Sequence, residues 1–362
     1  MLVENNCLTG IFYKMTCETA PAVLIDAYSQ IFRVFYAINH LSRRDGFPTN
    51  ALFGFARLLL QLEKEYKPVC GAMFFDCGKP AFRLELSPEY KSNRPPMPEA
   101  LVQQMPLLRE LAELFGWQIV QCTNYEADDL IGAAVKSDPQ QKFAIISSDK
   151  DLSQLIDEHA FMLIPGRSGG FEVRGIDETV QKFNVTPAQI IDYLAMLGDS
   201  SDAIDGVVGI GPKTAASILQ SCGSLAKFFE EPELLGNVKL RTKLLDNREL
   251  LERNIKLVSL RTAWPENELA SPAELLKKSA PNWVKIAEFA REYELKSILK
   301  EVENMGVELP ETPEVEISPT AAEASAPAPD AADDLFSWGA AQNITEEKTA
   351  SEPAKPVQGS LF

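Results

Sequence analysis

Nine acidic residues fall into five tight groups along this chain, and each group follows a stretch that is typical of a buried strand. If these strands are parallel, their carboxyl ends meet at one edge of the sheet and bring the groups together. Gathered carboxylates are costly unless a cation neutralises them, and hard divalent metals prefer oxygen ligands. We therefore predict a metal-dependent enzyme that acts on phosphate. The expected ligands are Asp26; Asp76; Glu126, Asp128 and Asp129; Asp149 and Asp151; and Asp199 and Asp202.

A single acidic helix start would be ordinary, because carboxylates in a first helical turn interact favourably with the helix dipole. The segment Glu126-Ala-Asp-Asp would suit that interpretation if it stood alone. A similar arrangement returns at Asp149-Lys-Asp after the next strand, and Asp26 and Asp76 end the two earlier strands. This repetition favours a shared site over coincidence.

The other reactive residue types offer little alternative chemistry. The two histidines, His40 and His159, stand in contexts that suggest neither a general base nor a metal ligand. The six cysteines are scattered without a CxxC pair, which argues against a zinc site and against a disulfide framework. Catalysis is therefore expected to use carboxylates, lysine and metal.

The acidic charge of the chain is unevenly distributed. The formal net charge is −17, of which −9 lies in residues 306–362 and −8 in residues 1–305. The clustered carboxylates account for the charge of residues 1–305, so the remainder is nearly neutral and a nucleic-acid partner is not excluded. Residues 306–362 are rich in Pro, Ala, Glu, Ser and Thr, which predicts a disordered acidic tail.

Strand patterns that alternate with helical patterns predict an α/β fold, with a parallel sheet and helices on both faces. Strands are predicted at 22–26, 71–75, 117–121, 143–147 and 161–164, and helices at 51–66, at 98–115, from 125 and at 149–156. From residue 177 the pattern is helical, with helices at 186–197, 212–221 and 283–305. The expected parts are an N-terminal extension (1–21), a body (22–176) with an arch at about 78–98, a helical subdomain (177–305) and the tail (306–362).

A glycine-rich segment, Gly206-Val-Val-Gly209-Ile-Gly211-Pro-Lys213-Thr214, follows Asp199 and Asp202. It is not a nucleotide-binding P-loop, because proline separates the last glycine from the lysine and no strand precedes it. A helix-hairpin-helix turn fits better, since its glycines allow close backbone approach to a DNA phosphate. Lys213 and Thr214 would add contacts that carry no sequence information. A loop that merely caps a helix is the simpler alternative.

A third segment groups cations with aromatic residues soon after Asp76. It contains Phe82-Arg83, Tyr90-Lys91 and Arg94. Such a segment can gather a single strand over the metals by charge and stacking. An ordinary solvated loop has a similar composition, and composition alone does not separate the two.

From about Val23 to Leu299 the chain strongly resembles the 5′→3′ exonuclease/flap endonuclease family, which includes the N-terminal nuclease domain of bacterial DNA polymerase I. The resemblance implies a PIN-like, parallel-sheet nuclease body, a helical helix-two-turn-helix subdomain that binds DNA, and a flexible arch. It is carried by the ordered segments VLIDAYSQIFRVFYA, FFDCGKPAFRLE with YKSNR, NYEADDLIG, SSDKDLSQLI, GDSSDAIDGVVGIGPKTAASIL and EYELKSIL.

The resemblance also implies roles for individual residues. Two Mg²⁺ ions are expected, with Mn²⁺ as a substitute, and K⁺ is expected at the helix-two-turn-helix. The first divalent ion would be held or oriented by Asp26, Asp76, Glu126, Asp128 and Asp129. The second would be served, partly through water, by Asp149, Asp151, Asp199 and Asp202. Catalysis at the scissile phosphate would use Lys91, Arg94 and Asp128. Contacts to DNA would come from Arg33, Arg83, Tyr90, Gly206, Gly209, Gly211, Lys213 and Thr214.

The chain departs from the family pattern at two positions. Ala203 stands where the family usually has asparagine, and Asp205 stands where it usually has proline. These departures bear on the geometry of the turn and on duplex affinity. Every expected metal carboxylate is present.

The function expected from these observations is that of a stand-alone, structure-specific 5′ nuclease in replication and repair. It would cleave 5′ flaps, single-stranded 5′ DNA ends and RNA primers as a monomer in the cytoplasm, at the nucleoid and without a membrane partner. Two alternatives stay open: a PIN-like ribonuclease, and a non-catalytic scaffold that binds DNA structures. The turn disfavours the first, and the complete carboxylate set disfavours the second.

The last five residues, Gln358-Gly-Ser-Leu361-Phe362, resemble the short peptides by which bacterial replication and repair proteins dock on the sliding clamp. Leu361 and Phe362 would fill an apolar pocket, and Gln358 would orient the peptide. Any disordered tail can also end in two apolar residues. The segment Asp333-Asp-Leu-Phe-Ser-Trp338 is a second candidate docking peptide.

Overall fold

A computed structural model describes residues 20–166 and 170–305 of the 362-residue chain. Six strands form its central sheet, in the spatial order β3-β2-β1-β4-β5-β6. The first five strands are parallel, and β6 pairs antiparallel with β5. The bounds are β1 (Ala22–Asp26), β2 (Gly71–Phe74), β3 (Gln118–Val120), β4 (Phe143–Ile146), β5 (Ala160–Pro165) and β6 (Phe171–Arg174).

Apart from Asp26 at the end of β1, the inner strands are apolar, as expected for strands that helices cover on both faces. All residues of β1, β2 and β4 are buried. Val23 and Ile25 face one core, while Leu24 faces the other. The chain runs from β1 outward to β2 and β3, and then returns to β4 on the other side of β1. This order creates a switch point between β1 and β4, where parallel α/β sheets bind ligands.

Helices of the body pack on both faces of the sheet. The core on one face includes residues of α1, α2 and α5, and the core on the other face includes residues of α6. A short 3₁₀ helix at Asp151–Leu155 follows β4. The helices are α1 (Ala27–Ala37), α2 (Asn50–Glu65), α3 (Ala81–Leu86), α4 (Glu99–Val102), α5 (Met105–Leu114) and α6 (Ala127–Ser137).

The helical part has an apolar core of its own, built mainly around α8 and α9. A short hairpin, whose strands β7 (Gly198–Asp199) and β8 (Ile204–Asp205) have two residues each, joins α8 to the glycine-rich turn. The helices are α7 (Ile176–Phe183), α8 (Ile190–Leu197), α9 (Pro212–Cys222), α10 (Leu225–Glu230), α11 (Val238–Asp246), α12 (Arg248–Val258), α13 (Pro272–Leu275), α14 (Trp283–Glu292) and α15 (Lys296–Glu303).

Two of the expected parts are arranged differently in the structure. The apolar residues of α14 and α15 lie in the core of the body, so the helical subdomain does not extend to residue 305 as expected. In the segment expected to be a flexible arch, Leu84, Leu86 and Tyr90 pack in the core of the helical part, whereas residues 92–96 are exposed. The physical reason is the same in both cases: burial of these apolar side chains in a neighbouring core removes them from water.

Several local elements also differ from the sequence prediction. The helix expected at 98–115 is interrupted at residues 103–104, where buried Gln104 accepts hydrogen bonds from the Ala51 and Leu52 amides at 3.0 and 3.1 Å. The helix expected at 283–305 is divided near Glu294, which has a left-handed φ of 55°. Strands β6, β7 and β8 were not predicted, because short and partly exposed strands lack a hydrophobic run.

The N-terminal extension up to residue 19, the acidic tail and both candidate docking peptides lie outside the described residues. Within residues 20–166 and 170–305, each helix is too short or too polar to cross a lipid bilayer.

Candidate active site

Eight of the nine predicted carboxylates line a single open cleft between the sheet edge and the β7–β8 hairpin. The body contributes six of them, and the hairpin region contributes two. The cleft also contains side chains of the segment between β2 and α4. The eight carboxylates are Asp26, Asp76, Glu126, Asp128, Asp149, Asp151, Asp199 and Asp202.

Strand ends and helix starts hold the first carboxylates in place. Asp26 ends β1 and caps α1, accepting a hydrogen bond from the Ser29 amide at 3.2 Å. Its second oxygen accepts a hydrogen bond from the Ser147 hydroxyl at 2.8 Å, which links β1 to the end of β4. Asp76, after β2, accepts a hydrogen bond from the Ala127 amide at 2.7 Å. Asp26 therefore joins the carboxyl ends of β1 and β4, and Asp76 joins the end of β2 to the start of α6.

The start of α6 carries the most concentrated acidic group in the described residues. One ligand oxygen each of Glu126, Asp128 and Asp129 lies within 4.8 Å of the others. Glu126 and Asp128 line the cleft, whereas Asp129 is fully buried beneath it. A group of this size and composition can hold a hard divalent cation.

The second set of carboxylates also lines the cleft. The Asp151 amide donates a hydrogen bond to Asp149 at 2.9 Å, which fixes the Asp149 side chain against the start of the 3₁₀ helix that follows β4. Lys150, between these two aspartates in sequence, forms a 2.9 Å ion pair with Asp199 across the cleft. This pair ties the body to the hairpin. The sequence interpretation missed Lys150, although its place between two aspartates was a usable signal.

Two cations from the segment before α4 reach into the cleft. Lys91 pairs with Glu126, and its ammonium nitrogen lies 3.8 Å from a carboxylate oxygen of Asp202. The Arg94 Nε donates a hydrogen bond to Asp202 at 3.1 Å, while 47% of the Arg94 side chain remains exposed. Both cations therefore lie among the carboxylates and can meet a phosphate that enters the cleft.

Arg83 occupies a different place from the one predicted. It is 1% exposed, and its guanidinium donates two 2.8 Å hydrogen bonds to Asp129 and a further bond to Glu126. Its Nε donates to the Leu257 carbonyl at 3.1 Å. The contact of Arg83 with DNA therefore stays a prediction that this arrangement disfavours, because almost none of the residue is exposed. It supports the acidic group from below.

Tyr90 and Asp129 also differ from their predicted roles. Tyr90 is 3% exposed, and its hydroxyl donates a 2.9 Å hydrogen bond to Glu126, so its ring has no free face for a base. Both oxygens of Asp129 accept hydrogen bonds from Arg83, and one also accepts a bond from the Arg261 amide at 2.9 Å. The metal contact predicted for Asp129 stays a prediction that this arrangement disfavours.

Burial and mutual repulsion make the cleft a strong attractor for cations. Burial, with help from Asp76, raises the pKa of Asp26 to about 7. Burial raises the pKa of Asp128 and Asp151 well above the usual range, and the neighbouring aspartates add to the effect. Burial opposes ionisation of Glu126 too, but Lys91 and Arg83 outweigh it and lower its pKa. Binding of a divalent cation here therefore releases protons.

The glycine-rich turn lies between the β7–β8 hairpin and α9. Gly206 packs so closely that a Cβ would lie 2.1 Å from the Leu197 carbonyl oxygen, and Gly209 has a φ of 78°. Gly211 caps α9, whose first turn contains exposed Lys213 and half-buried Thr214. Glycine is thus required at two points of the predicted DNA-binding turn for steric reasons.

The two departures from the family pattern have local consequences. Ala203 adopts a left-handed φ of 56°, a conformation that asparagine tolerates better than alanine. Asp205 is exposed, and its carbonyl accepts a 2.7 Å hydrogen bond from buried Asn254. Arg33, which was predicted near DNA, lies outside the cleft lining; its Nε donates to Gln30 at 3.2 Å, and burial lowers its pKa to about 10.

A parallel sheet with carboxylates at its switch point, joined to a helical part with a glycine-rich turn, defines a PIN-like nuclease fold whose acidic group could hold a divalent metal. Two family models match the chain. The model described as "5'-3' exonuclease, N-terminal resolvase-like domain" matches residues 21–186, and the model described as "5'-3' exonuclease, C-terminal SAM fold" matches residues 185–281. The chain belongs to the 5'-3' exonuclease family.

Individual relatives agree with this assignment. The chain is 36% identical over 284 residues to a 5'-3' exonuclease of Aquifex aeolicus, which covers 78% of this chain and 95% of that protein. It is also 36% identical over 252 residues to DNA polymerase I of Bacillus subtilis, which covers 68% of this chain but only 28% of the polymerase. The match is therefore to a part of the polymerase.

Two solved structures share the fold. The T5 D15 protein, co-crystallised with metal ions, superposes with a TM-score of 0.55 at 24% identity, covering 77% of this chain and 98% of that one. The catalytic core of Rad2 in complex with a DNA substrate superposes with a TM-score of 0.53 at 15% identity, covering 80% of this chain and 94% of that one.

Proposed function

We propose that this 5′ nuclease is structure-specific and removes 5′ flaps, single-stranded 5′ ends and RNA primers from DNA at the nucleoid. The observation that carries the proposal is the gathering of eight carboxylates with Lys91 and Arg94 in one cleft. An open cleft of this kind admits a single strand. The turn, a short distance along the chain from Asp202, offers the adjoining duplex a backbone surface.

The proposed chemistry is hydrolysis of one phosphodiester with two divalent ions. When bound, such ions lower the pKa of an attacking water and stabilise the departing 3′ oxygen. Mg²⁺ is the proposed ion and Mn²⁺ its substitute, since both favour oxygen ligands. The proposed ligands of the first ion are Asp26, Asp76, Glu126 and Asp128. Those of the second ion, partly through water, are Asp149, Asp151, Asp199 and Asp202.

Lys91 and Arg94 are the proposed phosphate-binding residues. Their present partners, Glu126 and Asp202, are also proposed metal ligands. A bound cation would neutralise those carboxylates and leave the ammonium and guanidinium groups available to the phosphoryl oxygens. Charge that develops on the phosphoryl group would then meet fixed donors in a partly desolvated site.

Gly206, Gly209, Gly211, Lys213 and Thr214 are the proposed duplex contacts, with K⁺ at backbone carbonyls of the turn. This part of the proposal rests on the steric need for glycine and on the exposure of Lys213. Arg33 stays a proposed DNA contact only at its exposed edge. We further propose that the enzyme acts as a monomer.

The substrate test compares labelled 5′-flap DNA, blunt duplex and single-stranded RNA, each with and without Mg²⁺. We expect cutting near the flap junction that requires the metal, because the cleft needs a cation to neutralise its carboxylates. Denaturing gels that map the cut positions measure the result. Cutting of RNA alone would indicate the ribonuclease alternative, and binding of the flap without any cutting would indicate the scaffold.

The C-terminal peptide Gln358–Phe362 is the proposed docking site for the sliding clamp. Its Leu361 and Phe362 supply the apolar anchors that short docking peptides use. Deletion of these residues is expected to abolish capture of the protein by immobilised clamp, while flap cleavage without the clamp stays unchanged.

Two controls sharpen the clamp experiment. A variant with Leu335 and Phe336 replaced by alanine tests the second candidate peptide and should retain capture. Replacement of Ser360 by alanine changes a residue of the peptide that is not an anchor, and should also retain it. Undiminished capture after deletion of Gln358–Phe362 would show that the clamp does not use this peptide.

A further inference from the structure

Helix α11 contacts the glycine-rich turn through Lys243. The Lys243 ammonium donates a 2.8 Å hydrogen bond to the Val208 carbonyl oxygen at the tip of the turn. A Cβ at Gly209 would lie 2.9 Å from the same nitrogen, so the lysine lies against the turn backbone. The Val208 side chain is 88% exposed, and the tip therefore projects into solvent beside the lysine.

Lys239 lies one helical turn before Lys243 and shares its flank of α11. Residues four apart on a helix are neighbours, with about 6 Å between their Cβ atoms. Leu244, at 0% exposure, marks the buried face of the helix, and exposed Val238 and Leu245 lie on the flank opposite the lysines. The two ammonium groups thus form a short row that begins at the turn.

The lysines of the row take part in no ion pair among the described residues, although exposed Asp246 lies three positions after Lys243 on the same helix. Among residues 20–166 and 170–305, no carboxylate lies within 4.0 Å of the ammonium group of Lys239, Lys243 or Lys213. Arg241, on the other flank of α11, is bound to Glu233 and to the Leu235 carbonyl. In a chain with a net charge of −17, unpaired lysines in a row point to an anionic partner.

We propose that Lys239 and Lys243 extend the duplex-binding surface from the turn onto α11, where they bind neighbouring phosphates of one DNA strand. The inference rests on the proposed function, because it requires a duplex to lie on the turn. It adds a second element, and two residues that the sequence interpretation did not select. Such contacts fix the position of the duplex without reading its sequence.

The salt dependence of duplex binding tests this surface. Each lysine that neutralises a phosphate releases counterions, which makes the slope of log K against log salt concentration more negative by about 0.9. The measurement is the anisotropy of a labelled blunt duplex, bound in EDTA so that no strand is cut, over about 50–200 mM salt. Lys239→Gln and Lys243→Gln should each reduce the magnitude of this slope by about 0.9, and the double variant by about 1.8.

Lys227→Gln is the matched control, since Lys227 is exposed on α10, beyond the other end of α9. Its slope should equal that of the wild type. Failure of the wild type to bind any duplex would refute the proposed function itself. Duplex binding by the wild type, with an unchanged slope in the double variant, would overturn the α11 surface alone. Weaker duplex binding by Lys243→Gln with an unchanged salt slope would also overturn the α11 surface, because Lys243 would then only support the turn.

Discussion

Asp128→Ala is expected to reduce flap cleavage by at least about 10²–10³-fold, the loss seen when one group that stabilises a transition state is removed. Asp128 lines the cleft at the start of α6, and its oxygen lies within 4.8 Å of ligand oxygens of Glu126 and Asp129. Its loss removes a proposed ligand from the most concentrated acidic group. Affinity for flap DNA should persist, because the turn and the exposed lysines are untouched. Cleavage rates and anisotropy measure the two effects separately.

The stability of the variant distinguishes a lost ligand from a lost fold. Burial and the neighbouring Asp129 raise the pKa of Asp128 well above its usual range, so its charge is a cost in the metal-free protein. Asp128→Ala should therefore have a metal-free Tm close to that of the wild type, because relief of this charge offsets the loss of the 2.7 Å hydrogen bond that Asp128 accepts from the Asp129 amide. Asp177→Ala, at an exposed position in the first turn of α7, is the matched control and should cut normally. Near-normal cleavage by Asp128→Ala would count against the site.

The central sheet could be predicted from sequence because its strands are short apolar runs with both faces buried. The runs ending at Asp26 and Asp76 have this pattern, and so does the run ending at Ile146. The convergence of the carboxylates followed from the geometry of parallel strands, which fixes where their ends lie. These predictions needed only local patterns and one rule of topology.

The partners of charged side chains could not be predicted, because they depend on packing between distant segments. The sequence suggests that Arg83 is an exposed cation in a polar loop. In the structure Arg83 lies in α3 beneath the start of α6 and binds Glu126, which is 43 positions later in the chain. Tyr90 likewise reads as a stacking residue but fills the core of the helical part. A basic and aromatic loop has the same composition whether it faces DNA or the protein interior.

One boundary failed although the sequence carried its signal. Pro106, at the second position of α5, has no backbone N–H and interrupts the strongly periodic helix expected at 98–115. At the break, the buried Gln104 side chain accepts hydrogen bonds from the start of α2. Helices α14 and α15 are far along the chain from the sheet, so their return to the core of the body is a property of the tertiary fold.

Arg83→Met is expected to destabilise the protein by about 3–5 kcal/mol, the usual cost of removing one partner from a buried ion pair. The substitution leaves Glu126 and Asp129 buried without their guanidinium, and it also removes the bond to the Leu257 carbonyl. The acidic start of α6 should then lose its fixed geometry and cleavage should fall with it. Urea unfolding and flap cleavage measure the two losses.

Three further variants separate support of the acidic group from contact with DNA. Arg83→Lys keeps the charge without the paired hydrogen bonds, so it should recover part of the stability and bind duplex with the wild-type salt slope. Adding Asp129→Asn to Arg83→Met removes one unpaired charge and should recover part of the stability too. Arg94 lies in the cleft and is partly exposed, so Arg94→Met should lower the rate of flap cleavage with little change in the free energy of unfolding. A normal free energy of unfolding for Arg83→Met, together with a salt slope reduced by about 0.9, would instead assign Arg83 to DNA, since only a phosphate contact releases counterions.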